Sequence, residues 1–273
     1  MNKLALSLFC VFWLSPAYAA ERILALAPHV CESLFAIGAA DQVVGVVDYC
    51  DFPEEAKSKA QLGAFHHINV EAALALKPTL VITTDTNTAA IRALSDLGVK
   101  VALSAPNSVD GVMQDILFLG ALTGHTSDAE ALVAQMQQQL AKIRAETANL
   151  SVPTFYEVWH QPLYTIGSKA FIHDVMKQMG MRNVFADAHM DSLRIPMEVA
   201  LAAKPEVVVV PTEKRDVEAR ELFWKQWLGD DVMVLRANPD LLHRPGPRLI
   251  EGMRALLLQW QEKTAERVTV KAL

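Results

Sequence analysis

The 273-residue chain lacks an excess of positive charge, with 25 basic against 31 acidic side chains. Without residues 1–19, which hold one lysine and no acid, 24 basic face 31 acidic groups, a net charge of −7. A nucleic-acid binder needs a basic face to displace counterions, so that class is excluded. Cysteine is scarce, three in all, and Cys10 stands within the first 19 residues, so a disulfide-dense mini-scaffold is excluded. No stretch beyond residue 19 reaches eighteen uninterrupted apolar residues, as a membrane-spanning helix would require. The sequence also lacks G-x-S-x-G, H-E-x-x-H and phosphate-cradling glycine patterns. No His-x-His or His-x-x-x-His pair suggests a metal site. An enzyme is not expected.

What remains is 52% hydrophobic and 21% charged, the balance of a globular protein. Residues 1–19, MNKLALSLFCVFWLSPAYA, carry Lys3, an apolar run of about eleven residues, Pro16 and the small-x-small Ala17-Tyr18-Ala19. This is the pattern of a removable secretory signal. Phe9 before Cys10 does not fit lipid attachment. Export, most simply to a bacterial periplasm, is expected.

Beyond the leader, strand and helix patterns alternate. Short apolar strands are predicted over 22–27, 42–47, 80–83 and 100–103. Helices are predicted over 30–37, 71–76 and 89–97, stopped by Gly38, Lys77-Pro78 and Gly98. Such alternation implies a parallel sheet. A single amphipathic helix follows over about 127–148, with Leu132, Met136, Leu140 and Ile143 on one line and Thr126-Ser127-Asp128 as caps. At 1.5 Å per residue it is ~33 Å long. A helix of that length can act as a strut between two lobes. Alternation resumes with strands over 155–158, 163–166, 207–210 and 232–235. Helices are predicted over 171–179 and 199–203, and from about 247 through 260.

The two halves share a repeat. Residues 69–83, NVEAALALKPTLVIT, and 196–210, PMEVALAAKPEVVVV, match at seven of fifteen positions with an offset of 127. Each reads as a short helix with a first-turn acid, a Lys-Pro stop and a buried strand. The architecture expected is α/β: two similar lobes joined by one long helix, with the ligand cleft between them at the carboxyl ends of the strands. The divisions are 1–19 signal peptide, 20–125 first lobe, 126–150 interlobe helix and 151–273 second lobe.

The segments ILALAPHVCESLFAIGAADQVVGVVDYCDFP, NVEAALALKPTLVIT, YEVWHQPLYTIGSKAFIHDVMKQMGMRNVFAD and HRPGPRLIEGM carry a resemblance covering nearly the whole chain after the leader. They resemble the periplasmic substrate-binding proteins of ABC importers, in the group with a rigid interlobe helix that carries cobalamin, haem and ferric siderophores. The resemblance is nearest to the cobalamin-binding members. It implies two Rossmann-like lobes and no intrinsic cofactor. Cobalamin is the implied transported ligand and inner-membrane permease subunits the partners, with the protein itself a monomer. Haem or a ferric siderophore is the alternative cargo.

Site residues follow from the resemblance one at a time. Tyr49, in VVDYCDFP, matches an aromatic that lies against the corrin. Phe65 matches a pocket tryptophan, and Tyr164 a pocket aromatic. Asp240 and Arg244 match an acid and a base that bind the polar periphery. Glu71 and Glu198, one per lobe, match surface acids that dock on the importer; a helix-capping role is the bland counterpart. Thr84 stands where an aromatic is expected, and the region of Ser192 lacks an expected tryptophan, which removes stacking area. Trp159 lies on the cleft side of the second lobe.

Cys31 and Cys50 each follow a predicted strand at the same sheet end. Either they form a disulfide or they are two buried free thiols. His29, His66 and His67 read as solvated loop residues. Axial ligation of a metal centre by His66 or His67, and a bare-metal site, are the alternatives. Trp224 and Trp227 read as packing residues.

Overall fold

The computed structural model describes residues 21–211 and 217–271; the expected leader lies outside them. The first half begins with β1 (Ile23–Ala25), α1 (Pro28–Ala36), β2 (Val43–Val46) and β3 (Ala60–Gln61). It continues through α2 (Val70–Ala75), β4 (Leu80–Thr83), α3 (Ala89–Asp96) and β5 (Lys100–Leu103). These strands form one parallel sheet in the order β3-β2-β1-β4-β5. The residues of β1 and β4 are buried, as both faces of a helix-covered parallel strand require.

Two consecutive helices, α4 (Val109–Thr123) and α5 (Thr126–Thr147), lead to the second half. That half contains β6 (Val152–Tyr156), β7 (Trp159–His160), β8 (Leu163–Ile166), α6 (Phe171–Gln178), β9 (Met181–Asn183) and β10 (Ser192–Arg194). It closes with α7 (Met197–Ala202), β11 (Val207–Pro211), α8 (Val217–Leu228), β12 (Met233–Ala237), α9 (Pro239–Leu242) and α10 (Leu249–Lys271). A parallel sheet runs β9-β6-β11-β12, and β7, β8 and β10 make a separate antiparallel sheet.

The repeat is a structural fact. The order β2-β1-β4-β5 of the first sheet recurs as β9-β6-β11-β12 in the second. Helices α2 and α7 start 127 residues apart, and each ends at a lysine in the left-handed region, Lys77 at φ 50° and Lys204 at φ 46°. Each lysine precedes a proline, which disfavours continuing the helix through it.

Helix α5 is realised over 22 residues. It buries Ala129, Val133, Met136, Leu140 and Ile143. The expected caps are not used, since the helix begins after His125 with no side-chain cap. Nor is α5 a lone strut: it packs against α4 and α10. The apolar interior has three parts. A central cluster holds Ile23 and Ile82 of the first sheet, Tyr156, Val209 and Leu235 of the second, and Met113, Met136 and Met253 of the helices between. One outer cluster backs each sheet. Among the described residues no helix is long and apolar enough to cross a membrane.

Candidate functional site

The carboxyl ends of β1, β4 and β5 open into a pocket of about 380 Å³. Leu26, Ala27, Pro28 and His29 line it after β1, Thr84 after β4, and Ala105 and Pro106 after β5; Phe65 closes one side. The second half contributes His243 and Pro245. The wall is thus mostly apolar with a few polar atoms, as ligand pockets usually are. A larger cavity of about 760 Å³ is lined by Gln135, Gln139 and Lys142 of α5 and Glu251 and Arg254 of α10, with part of α1. It lies on a helix surface, whereas parallel sheets bind ligands beyond the carboxyl ends of their strands. The smaller pocket is therefore the candidate site.

Phe65 is placed by a tight loop. Gly63 sits at φ +93°, and a Cβ there would come within 2.9 Å of the His67 carbonyl oxygen. Bonds from Asn69 N to Leu62 O at 3.0 Å and His67 N to Ala64 O at 2.8 Å close the loop. Phe65 is half-buried in the pocket wall, while His66 and His67 are exposed.

Tyr49 is 76% exposed and left-handed at φ 65°. It precedes Cys50, which is disulfide-bonded to Cys31 in α1 with the Cα atoms 6.0 Å apart. Of the two readings of this cysteine pair, the disulfide is the one realised. Helix α1 and the loop after β2 are thereby fixed together, and Tyr49 stands on that fixed loop.

Tyr164 lies in β8, half-buried, directly opposite Trp159 in β7 and Arg194 in β10. Trp159 is 51% exposed, its indole N–H donating to Gln161 O at 2.9 Å. The antiparallel sheet has two different faces. Leu163 belongs to the outer cluster of the second half, and Ile166, two residues from Tyr164, to the central cluster shared by both halves. The Tyr164 face is thus the one turned toward the middle of the molecule.

Arg244 is not a free cation. It donates to Glu32 at 3.0 Å, Asp51 at 2.7 Å and Asp240 at 2.7 Å. Arg248 completes the cluster through two bonds to the almost fully buried Glu32, at 2.9 and 2.7 Å, and covers the Phe52 ring. Burial alone would lower the pKa of Arg244, but bonds to Asp51 and Glu32 raise it above the ordinary arginine value. The bond from Arg244 holds Asp51 below the usual carboxylate range, against a smaller effect of burial. Each buried charge therefore has a partner. The cluster ties α1 and the loop after β2 to the segment between α9 and α10. Asp240 keeps more than half of its side chain exposed.

Glu71 and Glu198 are exposed first-turn residues of the equivalent helices α2 and α7. Trp224 is fully buried, its ring N–H donating to Glu157 at 2.7 Å, while Trp227 is exposed.

His29 departs from expectation. It is 4% exposed, in the first turn of α1, not in a solvated loop. Its Nε2 lies 3.0 Å from Ser104 Oγ and 3.3 Å from Ser104 O, and the Ser104 hydroxyl donates to Asp115 at 2.7 Å. Burial pushes the His29 pKa down to about 4, only partly opposed by the Ser104 backbone. Burial also raises the pKa of Asp115, with the Ser104 bond opposing it. Its sequence signal was its place directly after a buried strand and a proline. Among the described residues no group of three or more His, Cys, Asp or Glu side chains can hold a metal ion.

Two parallel sheets, with a pocket at the strand ends of the first that is also lined from the second half, have the architecture of a solute-binding protein. The signature of the family described as periplasmic binding protein matches residues 23–223, and the chain belongs to that family. A vitamin B12-binding protein of Yersinia pestis (strain Pestoides F) is 31% identical over 248 residues, 89% of this chain and 88% of its own. The crystal structure of the periplasmic vitamin B12 binding protein BtuF of Vibrio cholerae superposes with a TM-score of 0.78 at 25% identity, covering 89% of this chain and 97% of that one. The periplasmic heme-binding protein RhuT from Roseiflexus sp. RS-1 also gives 0.78, at 23% identity, covering 89% and 99%; it shares the fold.

Proposed function

We propose that this protein captures cobalamin in the periplasm and hands it to an inner-membrane ABC importer. The observation that carries the reading is the 31% identity to a vitamin B12-binding protein over almost the full length of both chains. Tyr49, Phe65 and Tyr164 supply the aromatic surface, which buries large area with little rotamer freedom to lose. Asp240 accepts from peripheral amides, with Arg244 holding its carboxylate in place. The lobes divide at 20–125 and 151–273 with 126–150 between them, and the protein works as a monomer exported by residues 1–19. It needs no cofactor of its own and performs no chemistry on its cargo.

Glu71 and Glu198, on equivalent helices of the two halves, fix orientation on the permease subunits through paired charges. The visible absorption spectrum of protein purified from cells supplied with cobalamin tests the ligand. Corrin bands that co-purify at about one per chain are expected. A haem or iron-chelate spectrum in their place overturns the reading.

A further inference from the structure

His29 has a use that the pocket's aromatic residues do not account for. Both partners of its Nε2 call for a proton on that nitrogen. The Ser104 carbonyl can only accept, and the Ser104 hydroxyl spends its own proton on Asp115. In the neutral ring the other nitrogen, Nδ1, then carries a bare lone pair. Nδ1 has no hydrogen bond among the described residues. Among the described residues the buried polar side-chain atoms left without partners are Ser33 Oγ and Gln42 Oε1, and Nδ1 is not one of them, so it is not sealed inside the protein. His29 is part of the pocket wall, beside Phe65 and Thr84. A ligand that covers Nδ1 without offering a donor would leave that lone pair buried and unpartnered at a cost in free energy, and a ligand that supplies the donor avoids it.

We propose that Nδ1 of His29 accepts a hydrogen bond from an N–H donor on the bound ligand, making His29 a determinant that selects amide-bearing over carboxylate-bearing macrocycles. This rests on the cobalamin reading, since cobalamin carries neutral amides at its rim where haem carries carboxylates. A carboxylate facing Nδ1 would set two acceptors against each other with no proton between them. Ser104 and Asp115 act as positioning residues that hold the tautomer.

The test compares wild-type protein with His29→Phe and His29→Asn, using cyanocobalamin and its peripheral monocarboxylic acids as probes. Asparagine can place an acceptor oxygen near the position of Nδ1, and phenylalanine cannot. His29→Phe should weaken cyanocobalamin binding roughly three- to tenfold, the size of one neutral hydrogen bond. His29→Asn should retain most of the affinity. Wild-type protein should prefer cyanocobalamin to at least one monocarboxylic acid, and His29→Phe should lose that preference. In ¹⁵N spectra the His29 Nδ1 of the free protein should be unprotonated and should shift when cyanocobalamin is added.

A folded His29→Phe that binds as tightly and selectively as wild type overturns the proposal. So does a protonated Nδ1 in the free protein, whatever the ligand. Tight hemin binding that His29→Phe abolishes would assign the lone pair to iron and also overturn it. Wild-type protein that binds no cyanocobalamin overturns the cobalamin reading, and this proposal with it.

Discussion

The two halves of the molecule carry the same four-strand order and the same helix, Lys-Pro stop and strand. They differ at the carboxyl ends of their strands. The first half adds a loop pinned to α1 by the disulfide, and the buried His29 with its Ser104–Asp115 relay. The second half adds an antiparallel sheet carrying Trp159 and Tyr164. A duplicated scaffold thus carries two different additions, one braced covalently and one built on strands, while the pocket itself is lined by His29 and Phe65 of the first half and His243 and Pro245 of the second. Function resides in what is attached to the fold.

The largest effect should come from the ion cluster joining the halves. Glu32→Ala leaves Arg244 and Arg248 without their buried partner and should destabilise by about 3–5 kcal/mol in urea unfolding. A loss below about 1 kcal/mol would mean that Asp51 and Asp240 suffice. The next effect belongs to the first half alone. His29 falls from 6.5 to about 4 on folding, so the native state resists its protonation. Above pH 6.5 both states are neutral and nothing is lost. As the pH drops from 6.5 toward 4 the unfolded chain takes up the proton first, and stability should fall by about 3 kcal/mol. His29→Phe should flatten that part of the pH profile; an unchanged profile would place the pH dependence elsewhere.

Removing the disulfide by Cys31→Ser with Cys50→Ser opens a cross-link of 19 residues' separation and should cost about 3 kcal/mol in thermal unfolding. The second half has no such bond among its described residues, so its own hydrogen-exchange protection should change less. Tyr49→Ala and Tyr164→Ala should each weaken ligand binding by about 1–3 kcal/mol through lost burial. If the covalent brace matters for recognition, the cysteine variant should lower the Tyr49 contribution and leave that of Tyr164 unchanged.

The α/β alternation, the repeat and α5 were legible because buried parallel strands read as short apolar runs and α5 has a clean apolar line. Helix α4 was not. Its sequence, VDGVMQDILFLGALT, holds two glycines, and the exposed Leu117 and Phe118 blur the buried line of Val109, Val112, Met113, Ile116, Gly120 and Thr123. Its ends did carry signals: Ser108 caps Gly111 N at 3.0 Å, and Gly124 is left-handed at φ 78°. Strand β10 is three residues long, and only its pairing with β8 defines it. For the site, Tyr49, Phe65 and Tyr164 were all named from motif resemblance, and of the three only Phe65 is among the residues lining the pocket. Arg244 as the centre of an ion cluster did not follow from the resemblance, because Glu32 and Asp51 lie 212 and 193 residues away in sequence. His29 was visible as a residue, but its burial depends on Ser104, 75 residues on.

The central claim is that the cleft takes cobalamin. Titration calorimetry of cyanocobalamin into the purified protein tests it most directly. One site per chain with nanomolar affinity, roughly −12 kcal/mol, is expected. No heat at micromolar protein, with hemin or a ferric siderophore giving saturable binding under the same conditions, would contradict it.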